Sequence, residues 1–436
     1  MTSQTFLRSA RKLCRLSSER VVPAQETLRR AIRIAAEKGV TRISDITGLD
    51  RVGIPVYSAV VPRSDDGISV YNGKGPTRIE SRTGAVMEAI ERQTVLYSTV
   101  STSYGSYNHL KSSAIPALDP ESFHQKVCDD YDANRAYAWI EGYDLMSDEQ
   151  VLVPAGLAGY GPKYGVPLSP YRTYSTNGLA SGNCLEEAIC HALCELIERD
   201  AWTFAELRSQ WIPWAKREAW LGIEAAREGS DDPDAYPILD LSNAGDLIQE
   251  LVCKFERAGL SPIVRDITSE FGIPCIVASA ADDSIPDFPQ AHGGLGAHPN
   301  AQIAVIRALG ELAQSRVVDI QGVREDLMPA GVPVAAHSAH TQRVQKIQTQ
   351  RWMLQGRGVT RRFGDRPSIQ NDDIADDIRL ILSRLRKHGI ERAIVVDFTE
   401  PDGFPVVRVL VPGLELWSTD HEKLGVRALE FWRRNV

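Results

Sequence analysis

No two of the seven cysteines are spaced as Cys-x-x-Cys, and their number is odd, so the chain carries neither a disulfide framework nor a standard zinc site. Such usage fits a reducing cytoplasm. Positive charge is in short supply. The 49 Lys and Arg face 57 Asp and Glu, and the net charge of −8 argues against a general nucleic-acid binder. No apolar run is long and uncharged enough to cross a bilayer, so no membrane partner is expected. The G-x-x-x-x-G-K-[ST] pattern of a Walker loop does not occur. What remains is a chain of 436 residues, 43% hydrophobic and 24% charged, which can bury a large core and is ordinary for a soluble enzyme.

Acids are also missing from residues 2–18, where Arg8, Arg11, Lys12 and Arg15 stand among Ser, Thr and Leu. The composition is that of an organellar presequence, but no secretory apolar region follows. Residues 1–24 read as a basic tail, frayed or forming a small docking helix, ahead of a single domain over residues 25–436.

That domain contains an internal repeat. Segments beginning at Gly39, Gly259 and Gly389 each read as helix, glycine, strand ending in Asp-x-Thr, short loop, Gly-(Ile/Phe)-Pro, and second strand. The glycine suits a helix C-cap, and the proline tolerates the start of a strand. Asp45, Asp266 and Asp397 should cap turns. Further helices are expected at about 81–98, 184–202 and 300–317, which makes the fold α/β with three helix-strand-strand repeats and interposed helices. Polar stretches at 227–237 and 364–376 read as surface loops.

Two of the interposed helices carry the pentad Glu-x-x-Glu-Arg, as Glu88-Ala89-Ile90-Glu91-Arg92 and Glu195-Leu196-Ile197-Glu198-Arg199. Positions i, i+3 and i+4 share a helix face, so each pentad aims two carboxylates and a guanidinium one way. A solvated ion pair is the plain reading of one copy. The second copy extends into a stripe of Glu187, His191, Glu195 and Glu198 without a lysine, and stacked acids call for an external cation such as Mg²⁺. Glycine-rich loops, Asn72-Gly73-Lys74-Gly75 and Thr176 to Asn183, precede both helices. Such loops before a helix N-terminus favour anions, and beside magnesium-type carboxylates they imply a nucleoside triphosphate with Lys74 as a point charge.

With Ser81, Asn-Gly-Leu-Ala-Ser-Gly-Asn183-x-x-x-Glu187, Glu195-x-x-Glu198-Arg199-Asp200, Gly-x-Gly-x-His298, Arg307 and Gln314-Ser315-Arg316, the chain resembles the YcaO family of ATP-dependent enzymes from about residue 25 onward. The resemblance implies a YcaO-like fold with ATP and Mg²⁺ as cofactors. It implies that Lys74, Ser81 and Asn183 contact the nucleotide, and that Glu88, Glu91, Glu187, Glu195 and Glu198 hold magnesium. Arg199 and one later arginine, Arg307 or the favoured Arg316, would lie against the phosphates and act in catalysis. It further implies that the oxygen of a peptide or protein backbone amide attacks the γ-phosphate, after which a nucleophile adds to the carbon. The ending Phe431-Trp432-Arg433-Arg434-Asn435-Val436 is not the Pro-x-Pro-x-Pro tail of azoline-forming members. Stretches such as GKGPTRIES are similar to stand-alone, TfuA-associated members. The expectation is therefore thioamide formation with a TfuA-like partner and a sulfur donor. Cyclodehydration, macroamidine formation, a non-catalytic nucleotide-binding accessory role and a homodimeric assembly stay open.

Other residues read as structural. Cys190, His191 and Cys194 are expected to be buried helical residues rather than a soft-metal cluster. His191 reads as a hydrogen-bonded spacer between acids, and His298 as a residue that shapes the site. His337 and His340 read as surface residues, and Trp202, Trp211, Trp214 and Trp220 as core packing.

Overall fold

The computed structural model describes residues 6–15, 17–63, 67–123, 127–159, 169–171, 175–213, 215, 234–282, 284, 290–322, 350–417 and 423–436. His337, His340, Trp214, Trp220 and most of the 227–237 stretch lie outside them.

The repeat is a physical unit. Helices α1 (Ala24–Glu37), α4 (Asp246–Arg257) and α6 (Ile374–Lys387) open the three units. Each ends at a glycine with a left-handed backbone: Gly39 at φ +86°, Gly259 at +73° and Gly389 at +80°. The amide after the glycine reaches back into the last turn, from Val40 to Ala35 O (2.9 Å), Leu260 to Phe255 O (3.0 Å) and Ile390 to Leu385 O (3.1 Å). This closes orphan carbonyls that would otherwise need water, and only glycine takes the required φ without a Cβ penalty.

The Asp-x-Thr triplet then ties the two strands of each unit. Asp45, Asp266 and Asp397 each accept the amide of the threonine two residues on, at 3.0, 2.9 and 2.8 Å. Each threonine hydroxyl accepts the amide of the first residue of the second strand: Val56 at 3.0 Å, Cys275 at 3.1 Å and Val406 at 3.2 Å. The first strands β1 (Arg42–Asp45), β9 (Ile263–Asp266) and β13 (Ile394–Asp397) therefore pair antiparallel with β2 (Val56–Pro62), β10 (Cys275–Asp282) and β14 (Val406–Leu410).

A third antiparallel strand joins each pair and leads into a long helix. In the first unit it is β3 (Ile68–Lys74), followed by α2 (Arg78–Leu96). In the second it is β11 (Gln290–Ala297), followed by α5 (Ala301–Gly322). In the last unit the order is permuted, because β7 (Leu179–Ser181) and α3 (Leu185–Glu206) precede α6, β13 and β14 in the chain. The sheets grow outward: β8 (Ile238–Asp240) and β12 (Thr360–Arg362) extend one, and β4 (Ser103–Ser106), β5 (Ala136–Asp144) and β6 (Glu149–Pro154) extend another.

The helices lie directly on these third strands. A Cβ at Gly73 would stand 2.1 Å from Ala85 N and Ser81 O, and one at Gly294 would stand 2.2 Å from Leu312 N. On α3, Ile189, Leu193, Leu196 and Ile197 are buried in the largest core cluster, together with residues of β10, β14 and α6. The helical face opposite is thereby fixed toward the interior space between the units. Among the described residues, no helix is long and apolar enough to cross a membrane.

The expectation of a frayed tail or docking helix at the N-terminus is corrected. The described residues 6–15 and 17–23 form a strap with no helix, which folds back where Cys14 and Arg20 pair as an antiparallel bridge. Lys12 is 3% exposed and ion-paired with Glu19 and Asp377. The amide of Ala10 donates to Asp373 (2.9 Å), that of Lys12 to Asp372 O (3.0 Å) and that of Arg8 to Glu186 (2.8 Å). Lys12, Arg15 and the strap amides have partners at the acidic N-termini of α6 and α3, where carboxylates also meet the positive end of the helix dipole.

Candidate active site

Helices α2, α3 and α5, the strap and the strand ends before the helices enclose a cavity of about 650 Å³. Each helix presents one carboxylate held in the same way by the strand that feeds it. Glu88 accepts the amide of Asn72 (3.0 Å), Glu195 that of Gly178 (2.9 Å) and Glu311 that of Leu295 (3.4 Å). Glu91 and Glu198 lie one turn further on and are 7% and 8% exposed. The pentad arginines stand 3.6 Å from Glu88 and Glu91 in one copy, and 3.7 and 3.6 Å from Glu195 and Glu198 in the other. These distances exceed hydrogen-bond reach, so the acids are balanced but not closed off.

Seven glutamates line the cavity against five Lys and Arg. Crowding of buried like charges shows in their proton affinity. Burial, with Glu88 and Glu195 nearby, pushes Glu91 up to about 8 against the pull of Arg92. Burial, with Glu311 and Glu195 nearby, pushes Glu198 up to about 7. Glu88 is also raised, chiefly by burial. Arg199 keeps a raised pKa despite burial because Glu198, Glu195 and Glu311 surround it. A buried excess of carboxylate oxygens, with no thiolate in the lining, is the donor set of a hard divalent cation and fits Mg²⁺.

Most expected residues meet here. Lys74, Asn183, Arg199, Glu88, Glu91, Glu187, Glu195 and Glu198 all line the cavity. Asn183 is fixed by Thr27, whose hydroxyl donates to its carboxamide oxygen (2.8 Å), while its Nδ2 donates to Glu187 (2.9 Å). The other Glu187 oxygen accepts the amide of Val21 on the strap (2.6 Å). Lys74 is ion-paired with Glu311.

Two expected residues do not. Ser81 is fully buried, is not part of the lining, and donates its hydroxyl to Gly73 O (2.8 Å), so it holds the glycine-rich loop rather than reaching a ligand. Arg316, 1% exposed, points away into a separate cavity of about 240 Å³. There it is clamped by Asp50 (2.8 Å) and Asp282 (3.1 Å). The arginine of α5 that lines the large cavity is Arg307, braced by its Nη1 donating to Ala297 O (2.9 Å).

Sequence reasoning missed Arg20, Thr27 and Glu311, which also line the cavity. The strap contacts left no local signal. Glu311 did, because Glu311-Leu312-Ala313-Gln314-Ser315 repeats the pentad spacing with Gln and Ser in place of Glu and Arg.

His191 lines the cavity with its Nδ1 buried and, among the described residues, without a hydrogen-bond partner, so it is no hydrogen-bonded spacer at that atom. Burial, and then Arg307, Arg20, Lys74 and Arg92, keep its imidazole neutral. Behind the cavity, ligand atoms of Cys190, His298 and Asp377 lie within 4.8 Å of one another. His298 Nδ1 accepts the amide of Asn300 (3.0 Å), so the neutral ring carries its proton on Nε2 and offers no free lone pair there. Lys12 already supplies the cation to Asp377. These contacts account for the arrangement of the cluster within the fold. Trp202 packs on Trp352 (5.7 Å) and Trp211 on Trp417 (5.8 Å), within hydrophobic clusters.

The chain matches the family model "YcaO cyclodehydratase, ATP- and Mg²⁺-binding" over residues 72–415. It is 36% identical to an uncharacterized protein of Methanothermobacter thermautotrophicus over 89% of this chain and 93% of that one. It is 32% identical to a protein encoded in the tfuA 3′ region of Rhizobium leguminosarum bv. trifolii, over 90% and 87%. Its fold is similar to YcaO from Methanopyrus kandleri bound with AMPPCP and Mg²⁺, with a TM-score of 0.70, 24% identity, and coverage of 95% and 98%. A heterocyclase in complex with substrate and cofactor gives a TM-score of 0.72 at 21% identity, over 94% of this chain and 54% of that one. The carboxylates and cations that wall the cavity fit the ATP and Mg²⁺ named in the family's description, and the chain belongs to the YcaO family of ATP-dependent amide-activating enzymes.

Proposed function

We propose that this protein uses ATP to phosphorylate the oxygen of a backbone amide in a peptide or protein, and that sulfur then replaces that oxygen to give a thioamide. The observation that carries the activation step is the convergence of Glu88, Glu91, Glu195 and Glu198 from two helices on one cavity that also holds Lys74, Arg199, Arg307 and Arg20. These glutamates would hold Mg²⁺, and Glu187 is presented to it in an orientation fixed by Asn183 and Val21. Mg²⁺ held there would supply charge neutralisation at the phosphates and polarisation of the transferring phosphoryl group.

An amide oxygen is a weak nucleophile and a worse leaving group. Transfer forms a bond from that oxygen to the γ-phosphorus and breaks the bond to the β-phosphate oxygen, releasing ADP. Sulfide then adds to the activated carbon, the carbon–oxygen bond breaks, and phosphate leaves with the original amide oxygen. The chain's part is positioning and charge balance. Arg199 and Lys74 are set by neighbouring glutamates, and Arg307 by a backbone carbonyl, so their charges need little rearrangement when phosphates enter.

Sulfur as the nucleophile is supported by the relative from a tfuA 3′ region, and a TfuA-like protein would deliver it from a sulfur donor. Cyclodehydration is the second reading, favoured by the family model's own description. Incubation with ATP, Mg²⁺, sulfide, the TfuA-like protein and the peptide encoded nearest this gene separates them by mass. Exchange of one oxygen for sulfur supports thioamidation. Loss of one water supports an azoline, and no nucleotide-dependent change in mass overturns both.

A further inference from the structure

The third copy of the pentad differs from the other two in charge, and the difference has a use. Glu311 accepts an amide from its feeding strand just as Glu88 and Glu195 do, which fixes the correspondence of the following positions. Gln314 therefore stands where Glu91 and Glu198 stand, and Ser315 where Arg92 and Arg199 stand. Both line the large cavity, both are half-buried, and neither side chain has a hydrogen-bond partner among the described residues. Beside them on the same wall are Gly310 and Val318, without charge. The cavity is ringed by ions on the α2 and α3 sides, and α5 adds Arg307 and Glu311 at one end of its exposed face, but the stretch of that face at Gln314, Ser315 and Val318 is polar or apolar and carries no charge.

We propose that Gln314 and Ser315 form the subsite that receives the substrate's backbone amide, an inference that rests on the amide-activating function above. A peptide group is neutral and carries one donor and one acceptor. Against the glutamates and arginines it would have to displace ions or hydration, at a cost. The Gln314 carboxamide offers the complement of a peptide group, an N–H for the carbonyl oxygen and an oxygen for the N–H, and the Ser315 hydroxyl serves either role. A carboxylate at 314 could only accept, and it would draw a cation into the subsite. Recognition through the peptide group also explains how such a face selects a backbone amide without reading the side chain attached to it. Substrate sequence would then be chosen elsewhere.

The test uses the full chain with Mg²⁺ and a non-hydrolysable ATP analogue, and N-acetylated, C-terminally amidated triglycine as the backbone probe. Analogue affinity is measured by calorimetry, and probe affinity for the nucleotide complex by NMR titration. Gln314→Glu, which keeps the shape and recreates the pentad acid, and Gln314→Ala should each weaken probe binding about tenfold, and Ser315→Ala about threefold. Analogue affinity should stay within about twofold throughout, while Gln314→Asn should recover part of the probe binding. Equal loss of analogue and probe affinity would assign these residues to the nucleotide and overturn the proposal. Unchanged probe binding in the variants, or no saturable binding to the wild-type complex, would overturn it too. Failure of the wild type to bind the analogue at all would instead remove the amide-activating function itself.

Discussion

The turn that ties each unit and the helix face that serves the cavity have diverged by different rules. Asp-x-Thr makes the same two hydrogen bonds in all three units, within a few tenths of an ångström. The face keeps its first glutamate in all three but its second glutamate and its arginine in only two. The cation at the third glutamate comes from another unit, as Lys74 on β3. A feature repeated without exception is a requirement of folding. A feature repeated in two units and altered in the third marks a change of duty, and on the proposed reading α2 and α3 would serve metal and phosphate while the Gln314–Ser315 end of α5 would not.

The comparison breaks most sharply at the buried acids. Glu91→Gln or Glu198→Gln should lower peptide-dependent ATP hydrolysis by about a thousandfold with the fold intact, read by phosphate release and circular dichroism. Undiminished turnover in both variants would remove the metal role of the two pentads.

The same acids set a pH dependence. Glu91 titrates near 4.5 when unfolded and near 8 when folded without metal, so the folded state binds the extra proton between those values. Stability of the metal-free protein should therefore fall as pH rises from about 5 to 8, and Mg²⁺ with an ATP analogue should oppose the fall. A melting temperature lower by several degrees at pH 8 than at pH 5.5, and restored by the ligands, is the expected result.

Glu311→Gln sharpens the contrast between units. It releases Lys74 without removing a pentad ligand, so turnover should drop about tenfold while the Mg²⁺ concentration for half-maximal activity stays fixed. Glu88→Gln, at the corresponding place in the first unit, should raise that concentration. The smallest effect belongs to the scaffold. Thr399→Val loses one amide partner and should cost about 1 kcal/mol in urea unfolding, with nucleotide affinity untouched.

Much of this organisation was legible in the chain. The helices expected near 81–98, 184–202 and 300–317 occur at Arg78–Leu96, Leu185–Glu206 and Ala301–Gly322, because spacing of apolar residues is a local signal. The pentads pointed inward because their apolar faces had to pack. Other features depended on partners far along the chain. Arg307 and Arg316 lie roughly half a turn apart around α5, so only one can face the cavity. The choice is made by Asp50 and Asp282, which no local pattern links to Arg316. Ser81 lies off the cavity lining, and its place was not legible because a hydroxyl beside a glycine-rich loop reads alike whether it faces the cavity or, as here, the carbonyl of Gly73. The strap escaped notice because Lys12 and Glu19 gain their meaning only from Asp377 and Asn300.

The permuted third unit has a consequence for biosynthesis. Helix α3, with Glu195 and Glu198, emerges from the ribosome about two hundred residues before β14, the strand that β7 pairs with and α3 packs on. The first unit can close as soon as α2 is made, but half of the cavity wall must wait for nearly the whole chain. Premature termination anywhere before β14 would leave those acids without a supporting sheet, so the nascent protein acquires its ATP chemistry only at the end of translation.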